Sequence, residues 1–312
     1  MGPHDRPPFP PSPRANRPCR PGNETYTFQN NNLRTFLRRQ AATRPLTRGP
    51  PRDEIASLFA AGAWGTDRMD GTRDRLMETK PKSAEMRPGP GFMIRRRIER
   101  PAADVIDGYR RYETTDVSDM LNRMYTMGGA LRNLVNDAPL VGPACTVKVF
   151  PGDNLMVHAA LDVAEPGDVV VVDCSQSRTA AVLGDLVANK ARHRGIAGFV
   201  VDGLVRDLPG LVECGLPVYA RGLTPFGPLH RGPGEINHPV SCGGIVVHPG
   251  DVITADGSGV TVVPQFAARE TLDLLDAGQA RLAAYTEAVK RGEFSNAWVD
   301  AQLTADGCII RD

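Results

Sequence analysis

Apolar and polar positions along this chain follow two rhythms, and the switches between them predict its elements. Residues 168–173 place four valines in a row between two aspartates, the mark of a short strand buried on both faces. Similar runs at 143–150, 198–202 and 217–221 predict three more strands. Between them, residues 154–161, 180–194 and 208–214 read as helices, so the middle of the chain is a β-α-β-α succession that builds an α/β fold. Upstream, a helix takes Thr115 or Asp116 as its N-cap, shows one apolar face through Val117, Leu121 and Met124, and stops at Gly128-Gly129. Downstream, residues 222–244 are rich in Gly and Pro and read as an ordered loop that covers something. Short strands follow at 244–248, 251–254 and 260–264, with turns at Pro249-Gly250 and Asp256-Gly257. A last helix begins by Ala267. Its imperfect apolar stripe of Leu272, Leu275, Leu282, Tyr285 and Val289 packs on its own domain or on a neighbouring subunit.

The first 53 residues follow neither rhythm. They hold ten Arg, three acidic residues and eleven Pro. Such a segment cannot bury enough surface to offset the ~1–2 kcal/mol of backbone entropy that each ordered residue costs. Residues 55–64 suit a short helix, but Met86-Arg-Pro-Gly-Pro-Gly91 breaks the chain again. The expectation is a disordered Arg/Pro-rich extension over residues 1–92 and one domain over 93–312, C-terminal helix included. The extension has three readings: a tail that charge alone holds to nucleic acid or membrane, a transit peptide short of Ser and amphipathic pattern, or a dispensable leader ahead of a start at Met86 or Met93. The last is the simplest.

A formal net charge of +1 over 312 residues points to no nucleic-acid partner, and 41% apolar residues suffice for a core. No run approaches the ~18 apolar residues of a membrane span. Six cysteines stand at 19, 145, 174, 214, 242 and 308, without a Cys-x-x-Cys pair. Cys145 and Cys214 lie among apolar residues and read as small core residues, which predicts a reducing, cytoplasmic setting. Gly-x-Gly-x-x-Gly follows none of the predicted strands, no P-loop occurs, and Ser241-Cys242 lacks the frame of a nucleophile elbow. Nucleotide binding and Ser or Cys hydrolysis therefore have no support.

The stretch that carries chemistry is Gly184-Asp185-Leu186-Val187, followed by Arg206-Asp207 with twenty residues between Asp185 and Arg206. That interval holds one helix and one strand, enough to return the chain to a common edge. The first motif reads as a helix N-terminus, whose amides and macrodipole favour an anion. The second follows an apolar strand and sets a planar guanidinium beside a carboxylate. Arg206 suits a substrate carboxylate bidentately, and Asp207 is a hard oxygen donor for Mg²⁺ or Mn²⁺. Seen alone, an Arg-Asp pair after a strand reads as a surface ion pair, Gly184 as a packing residue and Asp185 as a partner for the helix dipole. The spacing and the flanking motifs turn the reading to a site for a small keto acid.

Those motifs, with Pro217-Val-Tyr-Ala-Arg-Gly-Leu-Thr-Pro225, Pro239-Val-Ser-Cys-Gly-Gly244 and Pro249-Gly-Asp251 in fixed order, resemble the RraA-like family over about residues 103–292. Within it the chain is most similar to class II pyruvate aldolases acting on 4-hydroxy-4-methyl-2-oxoglutarate or 4-carboxy-4-hydroxy-2-oxoadipate. The resemblance implies a swivelling β/β/α domain, a homotrimer or hexamer with sites between subunits, and a divalent cation, Mg²⁺ or Mn²⁺. It implies that Gly184, Asp185, Leu186 and Val187 line the substrate, that Arg206 binds its carboxylate and keto group, and that Asp207 ligates the metal. The family's further acid three positions after that Asp is Gly210 here, so Asp185 or Glu213 must take its place. Retro-aldol cleavage would then release pyruvate and a second oxo acid, with oxaloacetate decarboxylation as a secondary activity. Asp185 is expected to act catalytically by organising a metal-bound water as base. No Schiff-base lysine is required; Lys190 is the one lysine near the motif. His230, Arg231 and Glu235 are expected either to reach a neighbouring subunit's substrate or to serve structure, and His158 and His193 not to be ligands. The competing reading from the same family is a regulator that binds and inhibits ribonuclease E without chemistry.

Overall fold

The four valines of residues 169–172 divide evenly between two layers of packing. Val170 and Val172 meet helices, while Val169 and Val171 meet a second set of strands, as period-two alternation requires of a strand covered on both sides. The chain's computed structural model describes residues 85–311. The readings for residues 1–84, the helix at 55–64 among them, lie outside the described residues.

A mixed sheet of β1 (Phe92–Ile94), β2 (Arg132–Asn133), β3 (Leu140–Val149), β4 (Val169–Asp173), β5 (Gly198–Val205), β6 (Val218–Leu223) and β7 (Gly234–Ile236) runs in the order β1-β7-β3-β4-β5-β6-β2. Strands β3 to β6 are parallel. Their crossovers carry α3 (Leu155–Ala160), α4 (Asp185–His193) and α5 (Leu208–Cys214). Val157, Ala188 and Leu211 of these helices pack on Val170, Val172, Phe199 and Val201. On the opposite face lie the hairpin of β8 (Val240–Cys242) and β9 (Ile245–Val247) and the pair β10 (Val252–Asp256) and β11 (Gly259–Val263). Strand β3 serves both layers. Residues 140–143 pair with β10 and residues 144–148 with β4. The result is the β/β/α arrangement that the resemblance implies, with the α/β succession of the sequence pattern at its centre.

A third apolar cluster closes one end. There α1 (Ala103–Tyr109), α2 (Thr114–Met120) and the first turns of α6 (Ala268–Lys290) bury Val105, Tyr109, Val117 and Leu272 with Val252 and Val263. The Tyr109 hydroxyl donates to the Ala268 carbonyl at 2.6 Å and joins α1 to α6. Arg100 grips the buried Asp168 with two bonds, Nε to Oδ1 at 2.8 Å and Nη2 to Oδ2 at 2.7 Å, and so ties the segment before α1 to the start of β4.

Several element boundaries differ from the sequence reading. The helix expected over 180–194 begins only at Asp185, because the backbone before it is used sideways. The amides of Ala181 and Val182 donate to the carbonyls of Phe226 and Leu204, and the Leu183 carbonyl accepts from Arg206. The helix expected from Thr115 or Asp116 is α2, capped by Glu113, and it ends before Met124 because Asn122 and Arg123 turn to positive φ. The stretch 222–244 is not loop throughout, since it holds the end of β6, all of β7 and β8. Helices α1 and α7 (Ala297–Ala305) have no counterpart in the sequence pattern; α7 buries none of its residues and so shows no apolar stripe. Among the described residues, no helix is long and apolar enough to cross a membrane.

Candidate active site

The switch from strand to helix at Leu183-Gly184-Asp185 builds one wall of the site. Gly184 is the extended N-cap of α4, and a Cβ on it would lie 2.2 Å from Asp207 Oδ2 and 3.1 Å from Arg206 Cγ. Only the absence of a side chain lets this turn approach the second motif. The second motif is bent in its own way: Asp207 adopts a left-handed conformation, φ 59°, ψ 43°, as N-cap of α5. A non-glycine residue held there costs on the order of 1–3 kcal/mol, and such outliers cluster where function requires them. Asp tolerates it better than most residues.

Both motifs open onto a single cavity of about 220 Å³. Gly184, Asp185, Leu186, Val187, Arg206 and Asp207 all line it, with Lys190, Asn154, His158 and His230 completing its polar wall. Every residue singled out by the spacing is therefore brought together. The size lies below the ~300–1,000 Å³ of drug-sized ligand sites and suits a small acid. Arg206 Nε forms an ion pair with Asp207 Oδ2 at 3.2 Å, with both side chains partly exposed. Its Nη1 lies against Gly227, where a Cβ would come within 2.7 Å. Asp185 accepts from the amide of Leu186 at 2.7 Å, so one of the helix-start amides expected to face an anion is taken by the chain's own carboxylate.

Asp185 also explains the glycine at position 210. A Cβ there would meet Asp185 Oδ2 at 2.5 Å and Cβ at 2.6 Å, so the Asp185 side chain fills the space from which an acid at 210 would emerge. Glu213 is exposed on α5 and does not line the cavity. Of the two substitutes the sequence offered, Asp185 is the one in place.

Asn154 escaped the sequence reading, and His158 was set aside there for want of a partner spacing; both belong to the wall. Asn154 and His158, one helical turn apart at the start of α3, share a face by their i, i+4 spacing, the signal that would have found them. His230 enters the cavity of its own chain, whereas Arg231 meets Asp153 through its amide and Glu235 accepts from the amide of Gly91. Burial, helped by the charges of Lys190 and His230, pushes the His158 imidazole below its ordinary value.

Among the described residues, no three His, Cys, Asp or Glu side chains gather as a metal cage. The donor set nonetheless fits Mg²⁺ or Mn²⁺. Such hard cations keep several waters and take one or two carboxylates plus substrate oxygens, and the cavity offers Asp207 with Asp185 beside it.

Known proteins resemble this chain in sequence and in fold. A family model described as Aldolase/RraA, RraA-like, matches residues 114–262. A protein of Halalkalibacterium halodurans, provisionally named 4-hydroxy-4-methyl-2-oxoglutarate aldolase, is 43% identical over 162 residues, 52% of this chain and 77% of the relative. The chain belongs to the RraA-like family. A Hahella chejuensis protein with the same provisional name is 33% identical over 50% of the chain and 94% of its own length. Two crystal structures share the RraA-like fold. An uncharacterised Pseudomonas syringae protein matches with TM-score 0.56 at 28% identity, covering 63% of this chain and 97% of its own. Streptomyces coelicolor RraAS2, described as an unusual member of the RNase ES inhibitor RraA family, matches with TM-score 0.54 at 29% identity, covering 61% and 99%.

Proposed function

We propose that this protein is a divalent-metal-dependent lyase that cleaves a 4-hydroxy-2-oxo diacid, either 4-hydroxy-4-methyl-2-oxoglutarate or 4-carboxy-4-hydroxy-2-oxoadipate, to pyruvate and a second oxo acid. The observation that carries this reading is the convergence of Arg206, Asp207 and residues 184–187 on one small cavity. The aldolase names of the relatives support it. Arg206, with Nε engaged by Asp207, presents its two Nη groups as a fork for the substrate carboxylate and places its charge near the keto oxygen where negative charge develops. Asp207, with Asp185 next to it, would hold the cation, which as a Lewis acid supplies charge stabilisation worth several kcal/mol. Oxaloacetate loses CO₂ through the same enolate, so decarboxylation accompanies the aldol reaction. We assign the working form to a cytoplasmic homotrimer or hexamer; Tyr285 and Trp298, exposed on α6 and α7, supply apolar surface for contacts between copies.

Inhibition of a ribonuclease, the role ascribed to the family of the Streptomyces relative, would need no turnover in the cavity. Pyruvate release from both aldol substrates and from oxaloacetate, with Mg²⁺ or Mn²⁺ and then with chelator, separates the two. Turnover that the chelator abolishes is expected; no turnover by the metal-loaded protein would leave the inhibitor role.

A further inference from the structure

The far wall of the cavity holds a hydrogen-bonded chain that neither motif contains. Asn154 is buried, and its Nδ2 donates to the Val182 carbonyl at 2.8 Å. That bond fixes the amide, since the reverse orientation would set two oxygens against each other. Asn154 Oδ1 therefore faces His230 Nδ1, 2.6 Å away. An amide oxygen only accepts, so the proton sits on Nδ1 and the lone pair on Nε2. On its other side Asn154 Nδ2 lies 3.4 Å from His158 Nε2, and the two imidazoles meet edge to face with centroids 5.6 Å apart. His158 is half-buried behind Asn154, whereas His230 is exposed on the rim of the cavity.

We propose that His230 is the proton-transferring residue of this site and that Asn154 is the positioning residue that holds it in the tautomer with a bare Nε2. The proposal rests on the aldol reading of the same cavity. In the forward step the substrate's C4 hydroxyl gives its proton to Nε2 and its O–H electrons become the new carbonyl π bond. The C3–C4 bond breaks and its pair passes into the pyruvyl enolate. The imidazolium then returns that proton to C3, which yields pyruvate and restores the neutral ring, so no external acid or base is consumed. Asp185 is the less suited acceptor because one of its oxygens is bound to the Leu186 amide and its side chain is packed against Gly210.

Long-range ¹H–¹⁵N correlation spectra of protein labelled with ¹⁵N-histidine read the tautomer directly, with His230 assigned by the signal lost in His230→Gln. The expected wild-type spectrum has His230 protonated on Nδ1, and Asn154→Leu moves it toward the Nε2-protonated form. In pyruvate-release assays His230→Gln lowers kcat by about 10²-fold or more, with KM little changed. Asn154→Leu lowers kcat by at least about tenfold through the tautomer alone. A wild-type His230 carrying its proton on Nε2, or a His230→Gln protein with undiminished kcat, overturns the proposal and leaves the aldol reading standing. A wild-type protein that releases no pyruvate overturns that reading, and the catalytic role of His230 with it, while the spectrum still reports whether Asn154 sets the tautomer.

Discussion

Gly184 is where one added methyl group does most damage. Its Cβ would stand 2.2 Å from Asp207 Oδ2, so Gly184→Ala must push the proposed metal-binding carboxylate aside. A misplacement of ~1 Å costs on the order of 10²-fold in rate, and kcat/KM of Gly184→Ala should fall by that much while its circular dichroism stays that of wild type. Arg206→Ala should raise KM sharply, and Asp207→Ala should abolish the dependence of rate on added Mg²⁺, both read from initial rates across a metal titration. Arg100 tests the fold rather than the site. Its removal leaves Asp168, 1% exposed, as a buried charge without its cation, and Arg100→Ala should cost about 3–5 kcal/mol in urea unfolding. His158 links the cavity to pH. Its folded pKa lies below the unfolded value, so the unfolded chain binds the proton more readily and stability is lost as pH falls through and below ~6.5. Melting temperature should fall less between pH 7 and 5 in His158→Gln than in wild type.

Among the elements, those with a clean rhythm were legible from sequence and those shaped by distant partners were not. Four valines specify β4 because both of its faces are dry. The motif Gly184-Asp185 read as a helix start while the apolar rhythm ran the same helix back to residue 180; the sideways pairing of residues 181–183 that decides between them was hidden, because its partners Leu204 and Phe226 are more than twenty residues away. Spacing alone brought Arg206 to Gly184; it gave no sign that Asn154, on an earlier crossover, would stand opposite them. Helix α6 carries a further contrast. Leu272 is buried at its start and Leu282 is 48% exposed ten residues on, so a single apolar stripe serves first the domain and then open surface. Leu272→Ala should destabilise the domain by about 2–5 kcal/mol. Leu282→Ala should leave domain stability near wild type and lower the mass of the proposed oligomer in light scattering.

Across the molecule, thiol chemistry follows burial. Cys145, Cys174 and Cys242 are enclosed in the two sheet-facing cores, and burial pushes the Cys145 thiol up to about 12 and those of Cys174 and Cys242 well above the ordinary range. Iodoacetamide at pH 8 should modify Cys308, which is exposed, and spare Cys145, Cys174, Cys214 and Cys242 until the protein is unfolded. The function proposed for the whole chain depends on Arg206 and Asp207 acting on one ligand. Oxalate is a planar dianion shaped like the enolate of pyruvate, and its calorimetric titration with Mn²⁺ present tests that dependence without any turnover. Binding to the wild type, weaker by at least about tenfold in Arg206→Ala and absent in Asp207→Ala, is the predicted result; equal binding by all three proteins, or none by the wild type, would contradict it.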